Sequence, residues 1–247
     1  MIAGPTAPEP LRDYRAIWQQ KPALRAVYDD FYARIAGACV PGVTIEIGGG
    51  VGNLKSRLAG VISTDIQYAP WLDAVADAQR LPFASGSIAN IVMVDVLHHL
   101  EYPVTFLREA QRVLRSGGRV VMVEPAITWG STLFYRLLHH EPVRMSAEIL
   151  REGEPDPARD PYDSNQAIPT LLVTRDSEKF HRLFPALRLA RVEWFGFAAY
   201  TLSGGFKPWS LVSEAMARRL LQIERAIEPV LGRFFGLRMM LIIDKAA

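Results

Sequence analysis

The segment Val43-Thr-Ile-Glu-Ile-Gly-Gly-Gly-Val-Gly-Asn-Leu-Lys55 constrains the fold more than any other part of this chain. A short β-branched run, Val43 to Ile47, reads as a buried strand. It breaks at a glycine cluster, and Asn53 to Leu58 then reads as the start of a helix. Glycines at a strand-to-helix turn let the backbone approach a ligand closely, with helix N–H groups aimed at it. The spacing is Glu46-x-Gly48-x-Gly50-x-Gly52. A dinucleotide fingerprint would read G-x-G-x-x-G, and Asn53 stands where its third glycine belongs. An acid inside the strand end, Glu46, is also foreign to that fingerprint.

Beyond the glycine turn the chain alternates strand and helix signals, the pattern of a parallel α/β sheet. Val61-Ile-Ser-Thr-Asp65 is a second buried strand ending in an acid, at the spacing where a carboxylate can take ribose hydroxyls. Leu72 to Ala78 reads as a third short strand ending in Asp77-Ala78. Leu81-Pro-Phe83 and a polar turn precede a fourth strand, Ile88 to Val94, which runs into Asp95-Val-Leu-His-His-Leu100. A helix from Pro103 to Leu114 leads through Arg115-Ser-Gly-Gly-Arg119 to a fifth strand, Val120 to Pro125.

The block from Val43 to Pro125 resembles the type 11 methyltransferase domain of the class I S-adenosylmethionine-dependent methyltransferases. The resemblance rests on the glycine turn, the acid after the second strand, the Asp-Ala pair, the Leu-Pro-Phe segment, the Asp-x-Leu-His-His run and the Arg-Val-Leu-x-x-Gly-Gly run. It implies a Rossmann-like α/β fold: a seven-stranded, mostly parallel sheet with an antiparallel last strand, N-terminal helices and an insertion after strand five. It implies S-adenosyl-L-methionine as cofactor. Glu46, Gly48, Gly49, Gly50 and Gly52 would lie at its methionine portion, Asp65 at the ribose, Ile66, Asp77 and Ala78 at the adenine, and Asp95 nearby after the fourth strand. Only Ile66 to Trp71 separates strands two and three, so a turn is expected in place of a full crossover helix. The expected divisions are a helical cap over 1–42, the cofactor-binding core over 43–125, an insertion and helix over 126–186, and the rest of the same domain over 187–247.

A chain of 247 residues with 49% hydrophobic content can bury a full core. Its formal net charge of +2 is far from the strong basic stripe of a nucleic-acid binder. The single cysteine, Cys39, excludes an internal disulfide and suits a reducing compartment. No apolar run reaches the ~18 residues that span a bilayer. The N-terminus lacks a signal-peptide pattern. These features predict a cytoplasmic protein, with peripheral membrane contact left open.

Outside the core, Leu24, Val27, Tyr28, Phe31, Tyr32 and Ile35 recur at helical spacing after Pro22, predicting a helix packed across the sheet. Tyr14 and Trp18 upstream are candidates to face the cofactor pocket. The insertion Ala126 to Ile168 begins with apolar residues at helical spacing (Trp129, Leu133, Phe134, Leu137, Leu138) and continues as a charged, proline-rich loop. It leaves the carboxyl end of a strand, the ligand side of open α/β sheets, so a substrate lid is expected. In the last third, Leu189–Tyr200 and Leu237–Ile243 read as strands six and seven. The helix between them, Leu211 to Leu231, is expected to face the core through Val212, Met216, Leu220, Ile223, Ile227 and Val230.

Methyl transfer from a sulfonium is an in-line displacement that needs an acceptor held ~3 Å away. A base is required where the acceptor must lose a proton. His98 and His99 follow the fourth strand and are the candidates; adjacent residues there are expected not to point inward together, and His99 is preferred. His139 and His140 are weaker candidates. No metal-ligand spacing appears, since two neighbouring histidines lack a third ligand. The expected reaction is methylation of a small-molecule or lipid- or sugar-linked acceptor, at oxygen. A nicotinamide-dependent oxidoreductase and a non-catalytic cofactor-binding protein remain alternatives. Nucleic-acid acceptors are set aside, because no Asn/Asp-Pro-Pro-aromatic run follows the fourth strand.

Overall fold

Near-continuous apolar runs make the central strands, because a parallel sheet is covered on both faces. The computed structural model describes residues 6–138, 141–156 and 158–246. Its seven strands are β1 (Thr44–Ile47), β2 (Ile62–Asp65), β3 (Ala74–Val75), β4 (Ile88–Val94), β5 (Leu114–Pro125), β6 (Leu187–Phe195) and β7 (Arg238–Lys245). They form one sheet in the order β3-β2-β1-β4-β5-β7-β6. Pairings among β1 to β5 are parallel, and β7 runs antiparallel to both β5 and β6. The last strand in the chain is thus the antiparallel one, inserted between two others.

Side chains alternate across the sheet. Ile45, Ile91, Met93, Val120 and Met122 point to one face and pack with Phe106 and Leu107 of α3 (Pro103–Val113). Val92, Val121 and Val123 point to the other face and meet Leu24, Val27, Phe31 and Ile35 of α2 (Pro22–Ala38). Pro22 and Pro103 each open a helix, where a missing N–H costs nothing. Before α2 runs α1 (Glu9–Gln20), and after β5 runs α4 (Trp129–Leu138). Two short helices, α5 (Ile168–Val173) and α6 (Ser177–Leu183), complete the first face. Among the described residues no helix is long and apolar enough to cross a membrane.

Several local expectations are corrected. Asn53 to Leu58 does not form a helix; the chain makes one 3-10 turn, Leu54–Ser56. The third strand is only two residues long, and the span 66–73 holds turns without a helix, as its shortness required. Strand six stops at Phe195, and a five-residue helix, α7 (Ala199–Ser203), comes after it.

The last helix, α8 (Glu214–Phe235), departs further. Half of its expected core stripe lies outside, Val230 being 72% and Ile223 59% exposed along with Met216, whereas Val212 and Leu220 pack partly buried against the core. The inward residues are Ala217, Glu224 and Gly232. Close approach explains the choice, because a Cβ on Gly232 would lie 2.0 Å from the Trp194 carbonyl oxygen. The buried Glu224 carboxylate accepts from the N–H groups of Phe197 (3.2 Å), Ala198 (2.7 Å) and Ala199 (2.7 Å). It thereby satisfies the backbone donors at the start of α7. Asp30 of α2, also buried, accepts from Arg34 (2.8 Å) and from Arg225 of α8 (2.7 Å), fastening the two helices.

Glu224→Ala would leave those three N–H groups without an acceptor. It is expected to lower the free energy of unfolding by about 2–4 kcal/mol in a urea titration. Val230→Ala on the same helix is expected to change it by less than about 0.5 kcal/mol. Equal effects would show that hydropathy, not the carboxylate, seats α8.

Candidate functional site

In an open α/β sheet the crevice opens where neighbouring strands send their connections to opposite faces, here between β1 and β4. A cleft of about 1870 Å³ lies at their carboxyl ends. Single-ligand pockets run to about 1,000 Å³, so this one has room for two reactants.

The glycine turn forms one wall. Gly48 has φ +69°, and a Cβ there would lie 2.2 Å from Cγ2 of Val96, so packing alone demands glycine. Gly50 has φ +47°, but a Cβ there would meet only the Gly48 carbonyl oxygen, at 3.9 Å. The space before Gly50 is therefore left to a ligand. The turn is braced on both sides: Gly50 N–H donates to Asp65 Oδ2 (3.0 Å), and Trp71 Nε1 donates to the Gly50 carbonyl (2.8 Å). Asp65 Oδ1 accepts from Gln67 N–H (2.9 Å).

Of the residues singled out from the sequence, Glu46, Gly48, Gly49, Gly50, Asp65, Ile66, Asp77, Ala78, Asp95, His98 and His99 line this cleft. Gly52 does not; it packs behind the turn, where a Cβ would meet Trp71 Cδ1 at 2.9 Å. Asp95 adopts a left-handed φ of +57°, and its carboxylate pairs with the buried Arg238 guanidinium. Arg238 also lies over the Tyr200 ring, 4.4 Å from its centroid.

His98 and His99 sit on a 3-10 turn, Leu97–His99, rather than an α-helix. Both line the cleft and their ring centroids are 4.1 Å apart, which corrects the expectation that only one could face inward. His98 Nδ1 lies 2.7 Å from Glu124 Oε2, and His99 Nδ1 lies 3.2 Å from the Asp163 carbonyl oxygen. Both oxygens can only accept, so each imidazole carries its hydrogen on Nδ1. Burial works against a charged His98, but the Glu124 carboxylate outweighs it and raises the imidazole above its ordinary range. Burial, with the neighbouring His98 charge, lowers His99. His99 is the ring that stays neutral at neutral pH.

Aromatic rings line the same cleft. Tyr14 and Tyr28 come from α1 and α2, Phe134 and Tyr135 from α4, and Tyr200 from α7. Trp18 does not line the cleft; it packs edge-on against Tyr28 at 5.5 Å. The proline-rich part of the insertion also lines the cleft, with Tyr162 Oη donating to Gln67 Oε1 (3.0 Å). His139 and His140 lie outside the described residues. Glu141, Tyr200 and Arg238 escaped the sequence reading. Arg238 carried no local signal, being one more arginine at the start of a strand, whereas Glu141 lay inside the insertion already marked as functional.

Glu46 is 5% exposed, and its carboxylate accepts from the Ser63 hydroxyl. Burial pushes this carboxyl up to about 7, opposed by the Ser63 bond and reinforced by the Asp65 charge. A group raised in the folded state keeps a proton that the unfolded chain has released. Its contribution therefore destabilises the fold progressively as pH rises from 4.5 to about 7. Glu46→Gln removes that slope, so melting curves are expected to favour the variant above pH ~7 and to coincide with wild type near pH ~4. Parallel curves across the range would mean that Glu46 is ionised in the folded chain.

Known proteins bear on this geometry. Residues 45–122 match the methyltransferase domain family. The chain is 23% identical over 165 residues to norajmaline N-methyltransferase of Rauvolfia serpentina, covering 60% of this chain and 51% of that one. It is 36% identical over 114 residues to an uncharacterised 37.1 kDa transposon protein of Streptomyces fradiae, covering 42% of this chain and 32% of that one. It therefore spans about half, or less, of the curated relatives it matches. An S-adenosylmethionine-dependent methyltransferase structure from Thermotoga maritima superposes with a TM-score of 0.56 at 16% identity, covering 91% of each chain, and so shares the fold. Residues 45–122, which carry the glycine turn and the acids of the crevice, thus match a methyltransferase domain, and the sheet around them has the fold of a solved S-adenosylmethionine-dependent methyltransferase.

Proposed function

We propose that this chain transfers the methyl group of S-adenosylmethionine to an oxygen of a small-molecule or lipid- or sugar-linked acceptor. The observation that carries the reading is that one cleft holds two sets of residues: the glycine turn with Asp65 and Asp77, and the histidine pair with a group of aromatic rings.

The donor wall fits the cofactor chemically. The open space before Gly50 suits a close backbone contact, and the second lone pairs on Asp65 suit ribose hydroxyls. Asp77 Oδ1 accepts from Gln79 N–H (2.8 Å), which leaves the carboxylate further capacity for an adenine amine. When bound, the cofactor supplies a methyl group already activated by a positively charged sulfur.

The chain's own contribution is then positioning and proton removal. His99, neutral with its hydrogen on Nδ1, offers Nε2 as the acceptor of a hydroxyl proton. Glu124 orients His98 beside it. The aromatic wall favours an acceptor with a flat or lipid-like part. Trp129, 80% exposed, and Leu133 continue α4 into solvent beside Phe235, which supports an acceptor presented with a lipid chain or at a membrane surface. The balanced charge supports no nucleic-acid acceptor.

Three measurements test this reading. Cell extracts incubated with the enzyme and a deuterated-methyl donor are expected to yield a labelled product in mass spectrometry. Binding of S-adenosylhomocysteine with no labelled product would favour a non-catalytic binding protein. Asp65→Ala is expected to weaken S-adenosylhomocysteine binding by about 1.5–3 kcal/mol in calorimetry. Unchanged affinity would free that carboxylate for another role. His99→Ala should cut turnover about 10²–10⁴-fold with little change in cofactor affinity. The wild-type pH–rate profile should place its acidic limb below the ordinary histidine range, and the variant should lose that limb. Near-normal turnover in the variant would mean that another group takes the proton.

A further inference from the structure

The geometry points to a divalent transition-metal site formed by His98, His99 and Glu141 on the polar wall of the cleft. In sequence the two histidines lack a third ligand; the fold supplies it from the insertion. The potential ligand atoms of the three residues all lie within 4.8 Å of one another, and His98 Nε2 is 3.9 Å from Glu141 Oε2. Ligands of a tetrahedral ion with ~2.05 Å bonds sit ~3.3 Å apart, so the set needs to draw in by about 1 Å. Glu141 stands on the insertion with its side chain 28% exposed, where such a movement is available.

What marks the cluster as a built site is the outer ring of hydrogen bonds. A histidine that ligates a metal through one nitrogen donates the other N–H to a carboxylate or carbonyl, which settles its tautomer and aim. Both rings already do this: His98 Nδ1 toward Glu124 Oε2 at 2.7 Å, and His99 Nδ1 toward the Asp163 carbonyl at 3.2 Å. In the neutral ring each Nε2 then carries the lone pair, and an arriving metal ion displaces the proton that the raised His98 holds there. Glu141 is oriented in turn by Ser164 Oγ (2.8 Å) and by Gln166 Nε2, both donating to Oε2.

A second grouping of Asp95, His98 and Glu124 is close enough in space but already committed. Glu124 accepts from Val96 N–H, Leu97 N–H and His98, and Asp95 pairs with Arg238. Two imidazoles and one carboxylate suit zinc or iron(II), cobalt(II) or nickel(II) better than magnesium or calcium, which prefer all-oxygen shells. Three protein ligands at the edge of a cleft leave positions open, the mark of a reactive rather than a structural site.

This inference rests on the methyltransferase reading only for the ion's use. A bound cation would hold the acceptor oxygen and lower its pKa directly, where the cation-free enzyme relies on His99. Binding itself is tested without activity. Untagged full-length chain, stripped with a chelator, is titrated with Zn²⁺ by calorimetry and with Co²⁺ by visible absorption. One equivalent of each is expected to bind.

Glu141→Gln and His99→Ala should each weaken Zn²⁺ binding at least about 10-fold and change the Co²⁺ spectrum, with S-adenosylhomocysteine affinity retained as the sign of an intact fold. The double variant His139→Ala/His140→Ala should keep wild-type Zn²⁺ affinity. Absence of stoichiometric Zn²⁺ binding, wild-type affinity in Glu141→Gln, or loss of binding in the His139/His140 variant alone would each overturn the site. A wild-type chain that binds Zn²⁺ but not S-adenosylhomocysteine would defeat the methyltransferase reading and leave the metal site standing.

Discussion

At the carboxyl end of β5, the Glu124 carboxylate is wholly buried and gathers three donors: Val96 N–H (2.9 Å), Leu97 N–H (2.7 Å) and His98 Nδ1 (2.7 Å). A charge taken out of water needs such partners, because removing them costs several kcal/mol. These bonds decide how the chain leaves β4, and much of the cleft depends on that path. Val96 is brought against Gly48, which is why the first glycine of the turn admits no side chain. The two imidazoles are set side by side. The insertion docks on the same turn, through Asn165 N–H to the His98 carbonyl (2.8 Å) and Arg159 Nη1 to the His99 carbonyl (2.5 Å). The histidine side of the cleft is thus tied to a strand end rather than left to a free loop.

The cleft is also divided electrically. Glu46, Asp65 and Asp77 lie toward the glycine turn, an acidic end that suits a ligand bearing positive charge. Asp95 is answered by Arg238, whose guanidinium is held among Tyr28, Tyr135 and Tyr200. Burial opposes that charge, and Asp95 together with the surrounding tyrosines more than restores it. The same burial raises the phenols of Tyr28 and Tyr200, so they line the cleft as neutral rings and hydroxyls.

Packing around α8 shows why hydropathy is a poor guide to which face of a helix turns inward. The stripe of Met216, Ile223 and Val230 is the more apolar, yet the helix presents Ala217, Glu224 and Gly232 to the body of the protein. Small residues let the backbone come close, and a buried carboxylate with three N–H donors is more specific than a methyl surface. Trp129 and Phe235, both exposed, meet edge-on between α4 and α8, and α4 also lends Phe134 and Tyr135 to the cleft.

The succession of strands and helices, and the glycines and acids gathered at strand ends, were legible in the chain itself. Period-two and period-3.6 patterns, prolines at helix starts and glycines at the turn are local signals, and Ile88–Val94 and Pro103–Val113 emerged nearly as read. Acids at strand ends could be placed because parallel strands deliver their carboxyl ends to one edge of the sheet. Tertiary structure alone decided the rest. Whether Asn53–Leu58 became a helix or a 3-10 turn depended on the short crossing to β3. Which face α8 buried depended on how closely it could approach β6. Asp95 met Arg238 across 143 residues, and Glu141 reached the histidines only because the insertion folds back over the cleft. Sequence periodicity reports what a segment does with its own neighbours, whereas these pairings join segments whose separation along the chain carries no pattern and whose meeting is set by the order in which the sheet assembles.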